Sequence, residues 1–261
     1  MASRGQHQER PSTVTEPPDG PPARPPGEPS ISYNRLALVG VVWYLLEFAF
    51  IIPFFREPPG AGAAPEELVA FYSDNRTAIT IMAVGVSAAI IGRIAFAVGV
   101  RSVLRQARGD SSTVAVLMDL AVGIAVVGVA VEAVTMQGQV VGAVMAGSDA
   151  AVPAADALFR ANALESVDGS LVAFALFAGV TSVAMLMARV LPRWVGWTGL
   201  AGAVLYGASA GYVLGASEVL DLVQFAGWLL VIVWMLATGI VLFRRARSVR
   251  RQTVRHEDSA T

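Results

Sequence analysis

Long apolar runs with almost no charge dominate the chain after Arg35, and they restrict the fold more than any other feature. A transmembrane helix needs about 20 such residues to cross the roughly 30 Å of hydrocarbon in a bilayer. Backbone groups in lipid must find partners within the chain, so each run is predicted to be a helix. Six runs are long enough, near residues 35–55, 77–100, 113–137, 169–190, 194–215 and 219–243. The sequence therefore predicts an all-α polytopic membrane protein, a bundle of six transmembrane helices.

The distribution of arginine predicts the orientation of this bundle. Fifteen arginines lie in the two tails and in the connections after the second and fourth runs, whereas three lie in the other connections. Because positive charge is retained on the cytoplasmic side, both termini are predicted to be cytoplasmic. Lysine is absent and Ala, Gly, Pro and Val are abundant, which is typical of a GC-rich bacterial genome. We therefore expect the protein in a bacterial cytoplasmic membrane.

The two tails differ in composition from the rest of the chain. Residues 1–33 hold eight of the fourteen prolines and few large apolar side chains, which predicts a disordered cytoplasmic tail. Residues 34–243 form the transmembrane domain. Residues 244–261 form an arginine-rich cytoplasmic tail that attracts the anionic lipids of the inner leaflet. This basic surface is too small and too poor in aromatic residues to predict nucleic acid as a partner.

Two connections on the outer side have helix-forming patterns of their own. The stretch PEELVAFYSDNR begins with Pro65, which suits the first turn of a helix, and its two glutamates favour the positive end. In the second connection, Pro153 can start a helix that is expected to end at the turn-like pair Asp168 and Gly169. Both are predicted to be short helices on the outer surface. They serve either as connectors or as a cover over an outward-facing cavity.

Four ionisable side chains lie inside the predicted spans: Glu47, Arg93, Asp119 and Glu132. A charged group near the centre of a membrane helix costs about 2.5 to 3.5 kcal/mol, so each needs a partner, a proton or water. Counted from the ends of the predicted spans, Arg93 and Asp119 both lie about 10 Å from the inner boundary. They are predicted to form an ion pair that fixes the register of helices two and three. The alternative is that Arg93 extends to lipid phosphates.

The two glutamates lie in the outer half, each on a helix face with other polar residues. Together with one face of helix six they make three polar stripes at comparable depth, which predict an outer pocket. Its members are Tyr44, Glu47, Glu132, Thr135, Gln139, Asp221, Gln224 and Trp228. If the glutamates are close together, they share a proton near neutrality, as a proton-coupled carrier requires. The alternative is that each is protonated or hydrogen-bonded separately, for example Glu47 to the Tyr44 hydroxyl.

Helix five has a small residue at every fourth position, which leaves a smooth ridge along its length. The ridge consists of Gly199, Ala203, Gly207, Gly211 and Gly215. Such ridges allow close approach of helices in lipid, where association depends on packing. We expect helix five at the centre of the bundle or, alternatively, at a face that contacts a second copy or another membrane protein.

The residue types disfavour several kinds of chemistry. The chain has no cysteine, and its only histidines, His7 and His256, lie in the tails. The spans therefore offer no disulfide, no thiolate and no imidazole ligand for haem, zinc or copper. No phosphate-binding loop, dinucleotide fingerprint, metalloprotease motif or nucleophile elbow stands where its chemistry can be used. No metal or cofactor is expected, and enzymatic activity is not favoured.

Two segments and the helix layout carry a resemblance. The segments are PEELVAFYSDNR, after the first span, and LPRWVGWTGLAGAVL, which opens the fifth. With the six-helix arrangement they resemble uncharacterised multi-pass membrane proteins of GC-rich Gram-positive bacteria, grouped as domains of unknown function. The resemblance covers residues 35–243 and implies no activity.

Three hypotheses for the function follow. The first is a non-enzymatic bundle with a structural, partner-binding or regulatory role. The second is a small proton-linked carrier that uses the outer pocket, and the third is a lipid-modifying or quinone-associated enzyme. Because the two halves of the chain show no inverted repeat, the first hypothesis is preferred to the second.

Overall fold

A computed structural model describes residues 33–57, 59, 63–109, 112–146, 148, 151–209 and 218–258. Helices account for all the regular structure in these residues. These residues form nine helices: α1 (Tyr33–Leu45), α2 (Glu47–Phe54), α3 (Pro65–Asp74), α4 (Arg76–Ala89), α5 (Gly92–Arg108), α6 (Thr113–Met145), α7 (Ala151–Ala188), α8 (Arg193–Ala208) and α9 (Glu218–Asp258). The predicted N-terminal tail falls outside the described residues except for its last position.

Five helical stretches of the described chain are long and apolar enough to cross a membrane. They are Arg35–Phe54 (α1 and α2), Arg76–Arg108 (α4 and α5), Thr113–Met145 (α6), Ser170–Ala188 within α7 and Leu222–Arg245 within α9. The remaining predicted run, 194–215, the fifth in chain order, corresponds to α8, whose 16 residues measure about 24 Å and fall short of a full span. Residues 210–217, with which that predicted run ends, are outside the described part.

The second span is longer than its hydropathy predicts. The apolar run ends near residue 100, but α5 continues to Arg108 because no helix-breaking residue intervenes. The helix ends at Gly109, whose φ of +83° is a conformation that glycine adopts without steric cost. After the connection, the Ser112 side chain accepts a hydrogen bond of 3.2 Å from the Ala115 amide and so caps the start of α6.

The short helix predicted to begin at Pro65 is present as α3, with Glu66 and Glu67 in its first turn. Its buried side chains Leu68 and Tyr72 pack in a small apolar cluster with Ile79 of α4 and with α6. This packing favours the interpretation of α3 as an anchored connector.

The second short helix is not a separate element, and the turn predicted at Asp168 and Gly169 is wrong. Instead, α7 runs without interruption from Ala151 to Ala188. The proline of this segment stands in the first turn, where it is tolerated, and the following residues are mostly good helix formers, so a single glycine does not end the helix. In the same way, α9 continues beyond its apolar part into the arginine-rich tail as far as Asp258.

Arginine side chains donate hydrogen bonds to carbonyls at and just beyond the end of α7, at one end of the bundle. Arg108, at the end of α5, donates hydrogen bonds of 2.7 and 2.9 Å to the Ala188 carbonyl and of 3.2 Å to that of Met187, where α7 ends. Arg245 of α9 donates a bond of 2.5 Å to the Val190 carbonyl. These guanidinium groups satisfy carbonyls that a helix end leaves unpaired and lie at its negative pole. We call this side of the molecule the arginine-rich end.

Candidate functional site

Close backbone contact between α1 and α5 sets the position of the site. A Cβ atom on Gly92 would lie 2.3 Å from the Gly40 carbonyl oxygen and 2.5 Å from the Tyr44 amide nitrogen. A Cβ atom on Gly40 would lie 2.4 Å from the Phe96 amide nitrogen. Only glycine allows this approach, which brings Tyr44 and the residue after Gly92 together across the two helices.

Two of the candidate spans are interrupted where they supply charged side chains. The first span breaks at Leu46, whose carbonyl accepts from the Ala49 amide at 3.0 Å, and α2 begins with Glu47. The second span breaks between α4 and α5, where the Arg93 amide donates to the Ile90 carbonyl at 3.0 Å. These tighter bonds, three residues apart, replace the α-helical pattern locally. Such interruptions within spans often mark hinges and binding sites.

Arg93 forms a bidentate ion pair with Glu132 of α6. Its Nη1 donates to Oε2 at 2.5 Å and its Nη2 to Oε1 at 3.1 Å. A second carboxylate oxygen, Oε2 of Glu47, lies 3.8 Å from Nη2. The side chains of Arg93, Glu47 and Glu132 are only 8%, 3% and 16% exposed, so the charges must compensate one another.

Two aromatic rings enclose the guanidinium. The Arg93 Cζ atom lies 4.5 Å from the centroid of the Tyr44 ring and 4.4 Å from that of Phe174, an arrangement that stabilises a cation. The Tyr44 hydroxyl accepts a bond of 3.3 Å from Arg93 and also interacts with the Glu47 carboxylate. We refer to Tyr44, Glu47, Arg93, Glu132 and Phe174 as the Arg93 cluster.

The charges of the Arg93 cluster do not balance. It contains one guanidinium and two carboxylates, and with both acids ionised it has a net charge of −1. An unbalanced charge in a buried site of low dielectric is costly. The cluster is therefore neutral only when it holds one proton or one additional cation.

A cavity of about 270 Å³ lies against the Arg93 cluster. Residues from α2 and from α4 through α9 line it: Glu47, Ile51, Phe55, Met82, Val86, Arg93, Glu132, Met136, Ser170, Phe174, Tyr206 and Trp228. Ser170 begins its span and Phe55 directly follows the first span, both at the end that is remote from the arginine-rich end. The cavity, which we call the acidic cavity, thus extends from the Arg93 cluster toward the opposite end of the bundle.

The acidic cavity includes only part of the predicted outer pocket. Glu47, Glu132 and Trp228 line it, and Tyr44 belongs to the Arg93 cluster beneath it. Three other predicted members, Thr135, Gln139 and Gln224, do not line it. Thr135 donates a hydrogen bond to the Val131 carbonyl, Gln139 accepts one of 3.0 Å from the Tyr72 hydroxyl, and Gln224 is half-buried. The last predicted member, the Asp221 side chain, is outside the described part of the structure.

Asp119 lies apart from the Arg93 cluster, and the predicted pair of Arg93 with Asp119 is wrong. Asp119 Oδ1 accepts a hydrogen bond from Arg101 Nε and lies 3.8 Å from Arg105 Nη1. Its side chain is 52% exposed. This pair is near the arginine-rich end, whereas Arg93 is near the middle of the helical stretch from Arg76 to Arg108.

The register of the antiparallel helices explains the error. Gln137 of α6 donates to the Ser87 hydroxyl of α4 at 3.4 Å, and Arg93 meets Glu132 at the same register. Asp119 lies about 20 Å along α6 from Glu132 at 1.5 Å per residue. The sequence prediction ended the second span too early, which misplaced the depth of Arg93. It also missed Arg93 as the cation between the two glutamates.

The small-residue ridge of α8 faces α7 over its described length. A Cβ atom on Gly199 would lie 2.2 Å from Ser182 Oγ, and the Cβ of Ala203 would lie 3.6 Å from a Cβ atom placed on Gly179. Gly207 faces Ala175 in the same way. The last two members of the predicted ridge, Gly211 and Gly215, are outside the described residues.

No family model, curated protein or solved structure matches the chain. Within the part of the chain that the structure describes, no group of three or more acidic or imidazole side chains is arranged to hold a metal ion.

Proposed function

We propose that this chain is a small proton-linked carrier that binds its substrate in the acidic cavity. The observation that carries the proposal is the contact between this cavity and the Arg93 cluster, which needs one proton or one cation for neutrality. Coupling of substrate transport to protons requires at least one group that binds either a proton or the substrate. Seven helices contribute residues to the cavity lining and so can contact a substrate.

The two helix interruptions support movement at this site. Glu47 and Arg93 both lie within the first two residues of a helix that follows a break. A change in the protonation of Glu47 alters its attraction to Arg93 and hence the force between the two breaks. Hinges of a few residues are sufficient for alternating access.

We further propose six membrane spans, of which the predicted run that contains α8 is the fifth in chain order, and both termini in the cytoplasm. The grouping of Arg108 and Arg245 with the end of α7 supports a cytoplasmic arginine-rich end, since positive charge favours that side. The protein then belongs, as its sequence resemblance suggests, with bacterial multi-pass membrane proteins. In this topology, cysteines introduced at Arg193 and Ser217 of the cysteine-free chain react with impermeant maleimide from opposite sides of the membrane.

The carrier proposal is tested by the accessibility of Met136, which lines the acidic cavity. We would reconstitute Met136→Cys in liposomes and add impermeant maleimide either outside or inside. A carrier exposes this cysteine to both sides, with a ratio that changes under opposite pH gradients. The matched control is Ser73→Cys, on the exposed surface of α3, which should react from one side under every condition.

A structural role is the second candidate function, and the bidentate pair between Arg93 and Glu132 favours it. This pair joins α5 to α6 and is complete without any ligand. A purely structural bundle predicts that Met136→Cys is labelled from one side only, at a rate that does not respond to the pH gradient. That result would contradict the carrier proposal.

A further inference from the structure

The two carboxylates of the Arg93 cluster differ in their availability. Both oxygens of Glu132 accept hydrogen bonds from Arg93, so this carboxylate is neutralised within the protein. Glu47 contacts the same guanidinium only at 3.8 Å, although its side chain is just 3% exposed. It also lines the acidic cavity. Glu47 is therefore the carboxylate whose negative charge must be neutralised by a proton or by a ligand.

The walls of the acidic cavity suit an apolar body next to a positive charge. Trp228, Tyr206 and Phe174 present aromatic rings, which attract cations through their faces. Neighbouring rings fix two of them: the Trp228 centroid lies 5.4 Å from that of Phe48, and the Tyr206 centroid lies 5.9 Å from that of Phe174. Two methionines add polarisable, adaptable surface.

Other classes of ligand fit the acidic cavity less well. An anion would meet two carboxylates, while both terminal nitrogens of Arg93, the one guanidinium among the described lining residues, are engaged by Glu132, and its faces by two aromatic rings. Only its buried Nε lacks a hydrogen bond. A neutral molecule could not replace the charge of the proton on Glu47 and so could not exchange for that proton. The volume of about 270 Å³ is just below the range of roughly 300 to 1,000 Å³ for drug-sized ligands. The occupant is therefore small.

We infer that the substrate of this carrier is a small hydrophobic monovalent cation, whose charged group pairs with Glu47 in exchange for one proton. The inference rests on the proposed carrier function. In the exchange, the O–H bond of the protonated Glu47 carboxyl breaks, the proton passes to water at the open side of the cavity, and the cation takes its place. The net charge of the cavity does not change. Among the described side chains, the other titratable groups that face Glu47 are Arg93, Glu132, Tyr206 and the adjacent Tyr44.

Three probes with the same phenyl body test the charge preference on the solubilised full chain. They are 2-phenylethylamine, which is cationic, 2-phenylethanol, which is neutral, and phenylacetate, which is anionic. By calorimetry, we expect the amine to bind at least tenfold more tightly than the other two, because a charge-assisted contact in a dry site is worth about that factor or more. Glu47→Gln should remove this tenfold preference and leave the binding of 2-phenylethanol unchanged. Glu66→Gln, the same change on the exposed face of α3, should behave as the wild type.

Proton release provides the second measurement. Benzyltrimethylammonium cannot lose a proton itself, so in weakly buffered solution the wild type should release about one proton for each bound cation. Equal binding of all three phenyl probes, binding of none, or cation binding without proton release would each overturn the inference. Two-sided labelling of Met136→Cys with no cation preference would reject the substrate class alone. Cation binding with one-sided labelling would reject the carrier function and retain the binding site.

Discussion

Arg93 and Glu132 are expected to show strong coupling in a double-mutant cycle. Arg93→Leu removes the bonds of 2.5 and 3.1 Å and leaves two carboxylates that are 16% and 3% exposed. Breaking a buried ion pair in this way costs about 3 to 5 kcal/mol of unfolding free energy. Glu132→Leu should cost less, because Glu47 remains as a partner for the guanidinium. The double variant should lose about 2 kcal/mol less than the sum of the single losses.

The matched control is the pair of Arg101 and Asp119, whose side chains are 30% and 52% exposed. Exposed ion pairs contribute about 0 to 1 kcal/mol, so the corresponding leucine cycle should show weak coupling. A cross-cycle between Arg93 and Asp119 should be additive, because these residues are in separate clusters. This cross-cycle distinguishes the observed pair of Arg93 and Glu132 from the pair of Arg93 and Asp119 that the sequence predicted.

The assay is reversible urea unfolding of the four variants of each cycle in the same detergent micelles. Coupling between Arg93 and Glu132 below about 0.5 kcal/mol would refute the reasoning, since that is the scatter expected for independent sites. Coupling of Arg93 with Asp119 as large as with Glu132 would also refute it.

Three further predictions concern packing and helix ends. Gly92→Ala should lower the unfolding free energy, measured by urea unfolding, by more than about 2 kcal/mol, because the new Cβ meets the backbone of α1. Gly123→Ala has open space around its Cβ and should be neutral or stabilising by up to about 1 kcal/mol in the same assay. Arg108→Ala should destabilise by about 1 to 3 kcal/mol in the same assay and speed hydrogen exchange at the end of α7, whose carbonyls lose their donors. Tyr72→Phe should cost about 0.5 to 1.5 kcal/mol through the lost bond to Gln139 and increase proteolysis around α3. Equal stability of the two glycine variants, or no change in the other two, would contradict these contacts.

The helices were largely predictable from the sequence, because the requirement for apolar runs is imposed by lipid. The five candidate spans overlap five of the six predicted runs, and α3 begins at Pro65 as predicted. Helix ends were less predictable where helix-forming residues continue past the apolar part. For this reason α5 reaches Arg108 and α7 extends back to Ala151.

The candidate site was predicted in its two acids and in Tyr44 and Trp228, but not in its cation or its other wall residues. Charged residues within a span are rare enough to identify Glu47 and Glu132, but the choice of partner for Arg93 depends on helix register. The contact of Gly40 with Gly92 sets the register of α1 against α5 and so places Tyr44 beside Arg93, and glycines in membrane helices are too common to signal it. Aromatic wall residues such as Phe174 carry no distinctive signal within an apolar run.

The most direct test of the central claim, that Glu47 carries the exchangeable proton of the Arg93 cluster, is infrared difference spectroscopy of the full chain. Addition of benzyltrimethylammonium at constant pH should remove the carbonyl band of one protonated carboxyl from the wild type and from Glu66→Gln. Glu47→Gln should show no such band. Persistence of the band in Glu47→Gln, or its insensitivity to the cation in the wild type, would contradict the claim.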